Sequence, residues 1–133
     1  MSARRKRGRL SRSGDFERVY RNGTSHANRF LVLYSFPSTA ERERASDDAG
    51  GDVRLGISVG RKVGGAVQRN AVKRAIREAF WSLEDSLSLE HDYVVVARAD
   101  SAGLVEREGT EAIRTALAEL LRAGRPNGQA EAA

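Results

Sequence analysis

The chain has 133 residues, of which 40% are hydrophobic and 31% charged, and this composition fits one small domain with a modest core. It contains no cysteine and only two histidines, which excludes disulfides, thiolate metal sites, iron–sulfur clusters and histidine-rich metal sites. No apolar run approaches the roughly 20 residues of a membrane span, and no apolar signal segment follows the basic N-terminus. The sequence therefore predicts a soluble, cytoplasmic protein without membrane association.

The basic residues are concentrated in two parts of the chain. Residues 1–12 and residues 61–77 each contain six Lys or Arg residues and no Asp or Glu, although the net charge of the whole chain is only +5. The rest of the chain has more acidic than basic residues. For either stretch alone, a solvated tail or helix face is as good an explanation as binding to a polyanion. Two acid-free stretches together favour binding to a polyanion, and to nucleic acid in particular.

The predicted organisation is a single folded domain with three irregular segments. Residues 1–12 are predicted to form a flexible basic arm, and residues 13–122 a single folded domain. Within that domain, the polar and charged segment 38–52 is predicted to be a mobile loop. Residues 123–133 are predicted to be a disordered tail.

The first predicted elements are a helix and two strands. A helix over about residues 14–21, with Ser13 as its N-cap, places Phe16, Val19 and Tyr20 on one face. A short strand is predicted over residues 24–28. It is followed by a strand over 29–36 in which both faces are apolar, so that this strand lies inside the sheet.

The second half of the chain supplies two more strands and two helices. A strand is predicted over residues 53–59, and a glycine-containing turn leads from it into the longest helix, at about 66–83. The apolar run 93–97 is predicted to be a buried strand, and the last helix covers about residues 108–122. The predicted order is α-β-β-β-α-β-α, which is typical of an α/β or α+β two-layer sandwich with a mixed sheet.

The helix over 66–83 has one cationic face and one apolar face. At 3.6 residues per turn, four cations and one amide form a continuous stripe that contains no acidic residue. These residues are Arg69, Asn70, Lys73, Arg74 and Arg77. Neighbouring cations repel each other, so a phosphate backbone that supplies the counter-charge explains the stripe. A solvated helix face remains the alternative explanation.

No residue pattern indicates catalysis by the protein itself. The glycines of residues 60–65 suit a simple loop or an anion-binding nest, but they lack the Gly-Lys-Ser/Thr sequence of a nucleotide-binding P-loop. His26 and His91 are isolated in the sequence, and no nucleophile elbow is present. We therefore predict no catalytic side chain, no protein metal ligand and no cofactor bound by the protein.

The segment from Gly60 to Phe80, GRKVGGAVQRNAVKRAIREAF, closely resembles the signature of the bacterial ribonuclease P protein component family. Its core is the Arg69-Asn70 pair, followed by Lys73-Arg74 and Arg77. The resemblance extends over residues 9–122 in matching order. It includes the segments Arg9-Leu10, Asp15-Phe16, Val19-Tyr20, Gly23 to Tyr34, Gly56 to Val59 and Asp92 to Ala97.

The resemblance implies a fold and a set of RNA contacts. The family fold is an α/β sandwich with a left-handed crossover, and the signature helix faces a large catalytic RNA. A cleft between the first helix and the sheet receives the 5′ leader of precursor tRNA. By position the cleft residues here are Phe16, Tyr20, Val32 and Tyr34, with Arg61 and Lys62 at its border. Arg9 and Arg12 are expected to make nonspecific RNA contacts.

The resemblance also implies how the function is divided between protein and RNA. The expected partners are the ribonuclease P RNA and precursor tRNA, with no obligatory protein partner. Magnesium in an RNA active site would activate water for hydrolysis of the leader. Tyr20 stands where the family often has Phe, and it retains an aromatic plane for stacking. Without the resemblance, ordinary core packing would explain Phe16, Tyr20 and Tyr34.

Two other classes of protein remain alternatives at this point. A structural RNA-binding protein of ribosomal type would have the same charge pattern and no role in processing. A protein-only nuclease would require clustered acidic residues or histidines.

Overall fold

Five strands form one mixed sheet in the computed structural model, which describes residues 7–10, 13–37, 53–87 and 91–123. The strands are β1 (Arg7–Arg9), β2 (Thr24–Ala27), β3 (Leu31–Pro37), β4 (Val53–Val59) and β5 (His91–Ala97). The helices of these residues are α1 (Ser13–Asn22), α2 (Ala66–Ser82), α3 (Ser101–Glu108) and α4 (Thr110–Ala123).

The sheet has the strand order β1-β4-β5-β3-β2. The two pairings of β4, with β1 and with β5, are parallel, whereas β3 is antiparallel to both β5 and β2. Because β4 and β5 are parallel neighbours, the chain crosses over between them, and α2 lies in this connection. The left-handed sense of that crossover stays a prediction.

The larger core lies between one face of the sheet and helices α2, α3 and α4. Side chains alternate along a strand, so Leu31 and Leu33 of β3 point into this core. They meet Ile76 and Phe80 of α2 and Leu117 of α4, all of which are fully buried. Each such side chain contributes roughly 1.5–3 kcal/mol by leaving water.

Helix α1 covers the opposite face of the sheet with a smaller core. Val19 of α1 and Val94 of β5 are fully buried there, together with Leu10. Gly56 of β4 lies directly beneath α1, where a Cβ atom would come within 2.7 Å of the Phe16 ring. Glycine at this position therefore allows the helix to approach the sheet closely.

A buried ion pair connects β4 and β5 on the α1 face. Arg54 and Asp92 are paired in the register of the two strands, and both side chains are completely buried. Arg54 Nε and Nη2 each donate a 2.8 Å hydrogen bond to a carboxylate oxygen of Asp92. This bidentate geometry satisfies both charges in a place that water does not reach.

The structure confirms the mixed α/β sandwich and most of its predicted elements. The helices predicted over 14–21 and 66–83 and the strand over 53–59 lie within one residue of α1, α2 and β4. The strand predicted over 93–97 begins two residues earlier, at His91. The predicted order omitted two elements, β1 and α3. The prediction also gave one C-terminal helix that starts at residue 108. In the structure α3 ends at Glu108 and α4 begins at Thr110.

The flexible arm predicted over residues 1–12 is wrong for the part that the structure describes. Residues 7–9 form β1, and the backbone N–H of Leu10 donates a 2.9 Å hydrogen bond to the carbonyl of Leu55. A three-residue strand is too short to show a hydrophobic period. Its basic residues are also more typical of a solvated segment than of a strand. The rest of the arm, the loop 38–52 and residues 124–133 of the predicted tail lie outside the described residues, whereas Ala123 ends α4.

The substitution Asp92→Asn should lower the free energy of unfolding by about 3–5 kcal/mol, because it removes the carboxylate charge that faces the buried Arg54 guanidinium. Urea unfolding at neutral pH measures this change. The matched control is Asp100→Asn, which breaks the exposed Arg29–Asp100 pair and should cost less than about 1 kcal/mol. Equal losses in the two variants would contradict the structural role of the buried pair.

Candidate nucleic-acid interface

The local sequence holds the start of α2 in a defined conformation. Gly64 adopts a φ of 152°, and a Cβ atom at this residue would lie 2.9 Å from Gln68 Cβ, so glycine is required on both counts. The backbone N–H of Gly65 donates a 2.9 Å hydrogen bond to Gln68 Oε1. These contacts fix the direction in which the helix leaves the turn.

The predicted cationic stripe lies on the outer face of α2. Asn70, Arg74 and Arg77 are exposed, whereas Arg69 and Lys73 are partly buried at its edge. The opposite face of the helix is buried in the larger core, as predicted. The buried residues on that face are Val72, Ala75, Ile76, Ala79 and Phe80. Packing of this face turns the stripe away from the sheet.

The cations of the stripe are not neutralised by any acidic side chain in the part of the chain that the structure describes. Within the described residues, Arg69, Lys73, Arg74 and Arg77 form no ion pair with an acidic side chain. Arg69 Nε is buried and has no hydrogen-bond partner there either. The first turn of α2 has no acidic residue, so the positive end of the helix dipole adds to the same field. The face is thus prepared for an anionic ligand.

Three aromatic rings form a cluster on the other side of the sheet. The Phe16 and Tyr20 rings of α1 are 6.2 Å apart, and the Tyr20 and Tyr34 rings are 4.8 Å apart, both in edge-to-face geometry. Tyr20 is 40% exposed, which is unusual for a residue in an aromatic cluster. The structure therefore brings together the three aromatic residues that the resemblance places in the leader cleft.

The Tyr20 phenol remains neutral well above physiological pH. Burial raises its pKa above the ordinary value, and the neighbouring Tyr34 raises it further, against the lowering effect of a hydrogen bond with Ser58. A neutral hydroxyl does not repel a phosphate, and it retains one donor and one acceptor.

A basic cavity adjoins this cluster at the ends of β4 and β5. Its volume is about 580 Å³, and Ser58 and Lys62 are among the residues that line it. Arg29 and Arg98 contribute two further cations, of which Arg29 is paired with Asp100 at 2.9 Å. Lys62 and Arg98 have no acidic partner among the described residues.

The remaining predicted site residues are more scattered. Val32 is half-buried on the face of β3 that carries Tyr34, and Arg61 is exposed in the 3-10 helix that follows β4. Arg9 is exposed on β1 at the edge of the sheet, and Arg12 lies outside the described residues.

Sequence reasoning missed three residues near the aromatic cluster, Arg29, Ser58 and Arg98. The two arginines are separated by about half of the chain and lie in no basic run. The antiparallel pairing of β3 with β5 brings them together, with the Arg98 N–H donating to the Phe30 carbonyl at 2.9 Å. Alternation along β4 was the available signal for Ser58, because it places this residue on the α1 face with Gly56.

The described residues contain no cluster of three or more His, Asp or Glu side chains positioned to hold a metal ion. Among the same residues, none of the helices combines the length and the apolar character that crossing a bilayer requires.

A helix whose cationic face forms no ion pair among the described residues, opposite a partly exposed aromatic cluster, is typical of an RNA-binding protein, here of the mixed α/β class. The ribonuclease P family model matches residues 5–122. The chain is 36% identical to the ribonuclease P protein component of Listeria innocua over 121 residues, which cover 91% of each protein. It is 40% identical to the corresponding protein of Halalkalibacterium halodurans over 100 residues, 75% of this chain and 76% of that protein.

Solved structures agree with the sequence comparisons. The ribonuclease P protein of Staphylococcus aureus superimposes with a TM-score of 0.69 at 35% identity, covering 88% of this chain and 94% of that one. The Thermotoga maritima protein gives a TM-score of 0.70 at 30% identity, covering 88% and 97%. The chain belongs to the ribonuclease P protein family. The relatives that it matches are named as protein components of ribonuclease P.

Replacing Arg69, Lys73 and Arg74 together with Ala should weaken binding to the ribonuclease P RNA without unfolding the protein, because none of them belongs to the buried face of α2. Each lost phosphate contact should reduce the slope of log K against log salt by about 0.7–0.9. Filter binding over a salt series measures both quantities. Arg107→Ala, which removes an exposed cation of α3, should change neither. An unchanged affinity and slope in the triple variant would exclude the stripe as the RNA contact.

Proposed function

We propose that the protein binds the catalytic RNA of ribonuclease P through the outer face of α2 and the 5′ leader of precursor tRNA through the aromatic cluster beneath α1. The observation that carries the leader site is the partly exposed Tyr20 ring, held against Tyr34 near Lys62 and Arg98, which form no ion pair within the described residues. The protein would thereby reduce the repulsion between two RNA molecules and hold the substrate on the catalytic RNA. It would do so in the cytoplasm of a bacterium.

The chemistry of the cluster suits a single strand. Unstacked bases have apolar faces that gain about 1–3 kcal/mol each on an aromatic ring, with little dependence on sequence. The neighbouring Lys62 and Arg98 are available to phosphates, because neither is neutralised within the described residues. A leader differs in sequence from one tRNA to another, so recognition by stacking and charge fits this substrate.

The phosphodiester hydrolysis itself belongs to the RNA in this proposal. Magnesium ions held by the RNA would activate the attacking water. Family membership and the cationic surface support this division, and the protein residues then bind and orient RNA. A protein-only nuclease is not favoured, because it requires acidic or histidine clusters that the described residues do not offer. A ribosomal type of protein is not favoured by the comparisons.

Tyr20→Ala and Tyr34→Ala should each weaken binding of leader-bearing precursor tRNA to the reconstituted ribonucleoprotein. Loss of one stacking contact predicts a loss of about 1–3 kcal/mol. Mature tRNA has no leader and should bind both variants as it binds the wild type. The measurement is the ratio of precursor to mature tRNA affinity, with circular dichroism as the folding control.

The matched controls are Tyr20→Phe and Tyr34→Phe, which retain the ring and remove only the hydroxyl group. They should keep the wild-type ratio if stacking is the main contribution. Phe16→Ala is a less informative probe, because the Phe16 ring packs on Gly56 and its removal opens a cavity. If folded Ala variants of Tyr20 and Tyr34 keep the wild-type ratio, these rings are packing residues and the leader binds elsewhere.

A further inference from the structure

A cavity of about 470 Å³ opens between α2 and the edge of the sheet, and Phe16 of the aromatic cluster is among the residues that line it. Leu55 and Ile57 of β4 contribute apolar surface to it, and α2 contributes Lys73, Arg77 and Trp81. Arg9 of β1 adds a third cation. The cavity is therefore lined by both apolar and cationic side chains.

The cavity exists because β1 is shorter than its neighbour. The register pairs β1 only with Val53 to Leu55, and the last bond joins the Leu10 N–H to the Leu55 carbonyl. Beyond this point the chain leaves the edge to enter α1, whereas β4 continues to Val59. The space beside the second half of β4 is left for α2 side chains and a ligand.

The charge of the cavity selects an anionic ligand. None of the described residues that line it is acidic, and Arg9, Lys73 and Arg77 form no ion pair in the described part of the chain. Its volume lies within the range of about 300–1,000 Å³ that is typical of small-ligand sites. It is large enough for one nucleotide and too small for a duplex.

Trp81 supplies a flat aromatic surface held in a fixed position. Its ring is half-buried and meets the fully buried Phe80 ring edge-to-face, with centroids 4.8 Å apart and planes at 86°. Lys73, Arg77 and Trp81 follow one another at intervals of four residues, so they form one line along α2. A base against Trp81 would thus have its phosphates beside the two cations.

We infer that this cavity binds one unpaired nucleotide of the ribonuclease P RNA, with its base stacked on Trp81 and its phosphates contacted by Lys73 and Arg77. The occupant is the catalytic RNA because both cations belong to the stripe of α2. In this respect the inference rests on the proposed function of that stripe. It adds a specific pocket for an unpaired base to a surface otherwise described only by its charge.

The chain contains one tryptophan, so its fluorescence reports on this cavity alone. Adding the ribonuclease P RNA without tRNA should quench the Trp81 emission and protect the remaining emission from the neutral quencher acrylamide. An emission and an acrylamide accessibility that are the same in free and RNA-bound protein overturn the inference. A change that occurs only with leader-bearing precursor tRNA overturns the catalytic RNA as the occupant.

Two variants separate stacking from packing. Trp81→Leu should weaken binding of the ribonuclease P RNA at least about fivefold, the lower limit for one lost stacking contact, with an unchanged salt slope. Trp81→Phe keeps an aromatic plane and should stay within about twofold of the wild type. Trp81→Leu binding within twofold of the wild type overturns the inference. If that variant does not fold, the wild-type fluorescence decides the question.

The outcome is distinguishable from a failure of the proposed function. If the stripe does not bind this RNA, the Arg69, Lys73 and Arg74 triple variant keeps its affinity and salt slope. If the stripe binds this RNA but the cavity does not bind a base, the triple variant has a lower affinity and a smaller salt slope. The emission of Trp81 and its accessibility to acrylamide then stay unchanged when the RNA binds.

Discussion

The pairing of β4 with β5 determines the positions of both candidate RNA surfaces, and the Arg54–Asp92 ion pair specifies its register. A slip of one residue would turn every side chain of a strand to the opposite face and place Arg54 in the larger apolar core. Such a charge would lose its partner in a region that cannot solvate it. The ion pair therefore acts against the wrong register at least as much as it stabilises the correct one.

Under the proposed function, the sheet separates two different modes of RNA recognition. On one side, α2 uses its apolar face for packing and leaves its cations to the solvent, so that RNA binding there would depend strongly on salt. On the other side, α1 presents aromatic rings, and stacking of bases on these rings would depend less on salt than the contacts of the neighbouring cations with phosphates. The two surfaces would therefore differ in how strongly ionic strength affects their binding of RNA.

The sequence predicted α2 best, because a helix of this length shows its apolar and cationic faces through four turns of a regular period. It predicted the apolar strands for the same reason. It did not reveal β1, whose pairing depends on backbone groups and on a partner strand far along the chain. The aromatic cluster was predictable only in part. Periodicity placed Phe16 and Tyr20 on one face, but only the fold showed that the Tyr34 ring lies 4.8 Å from the Tyr20 ring. Arg29 and Arg98 had no local signal at all.

The parallel pairing of β1 with β4 has a consequence for the order of folding during synthesis. Arg7 pairs with Val53, and α1 packs on Val94 of β5, so the N-terminal residues must wait until most of the chain has left the ribosome. Contacts between distant residues form slowly, because a long loop must close before they are gained. The basic residues of β1 therefore remain without their native strand partner until β4 has been synthesised.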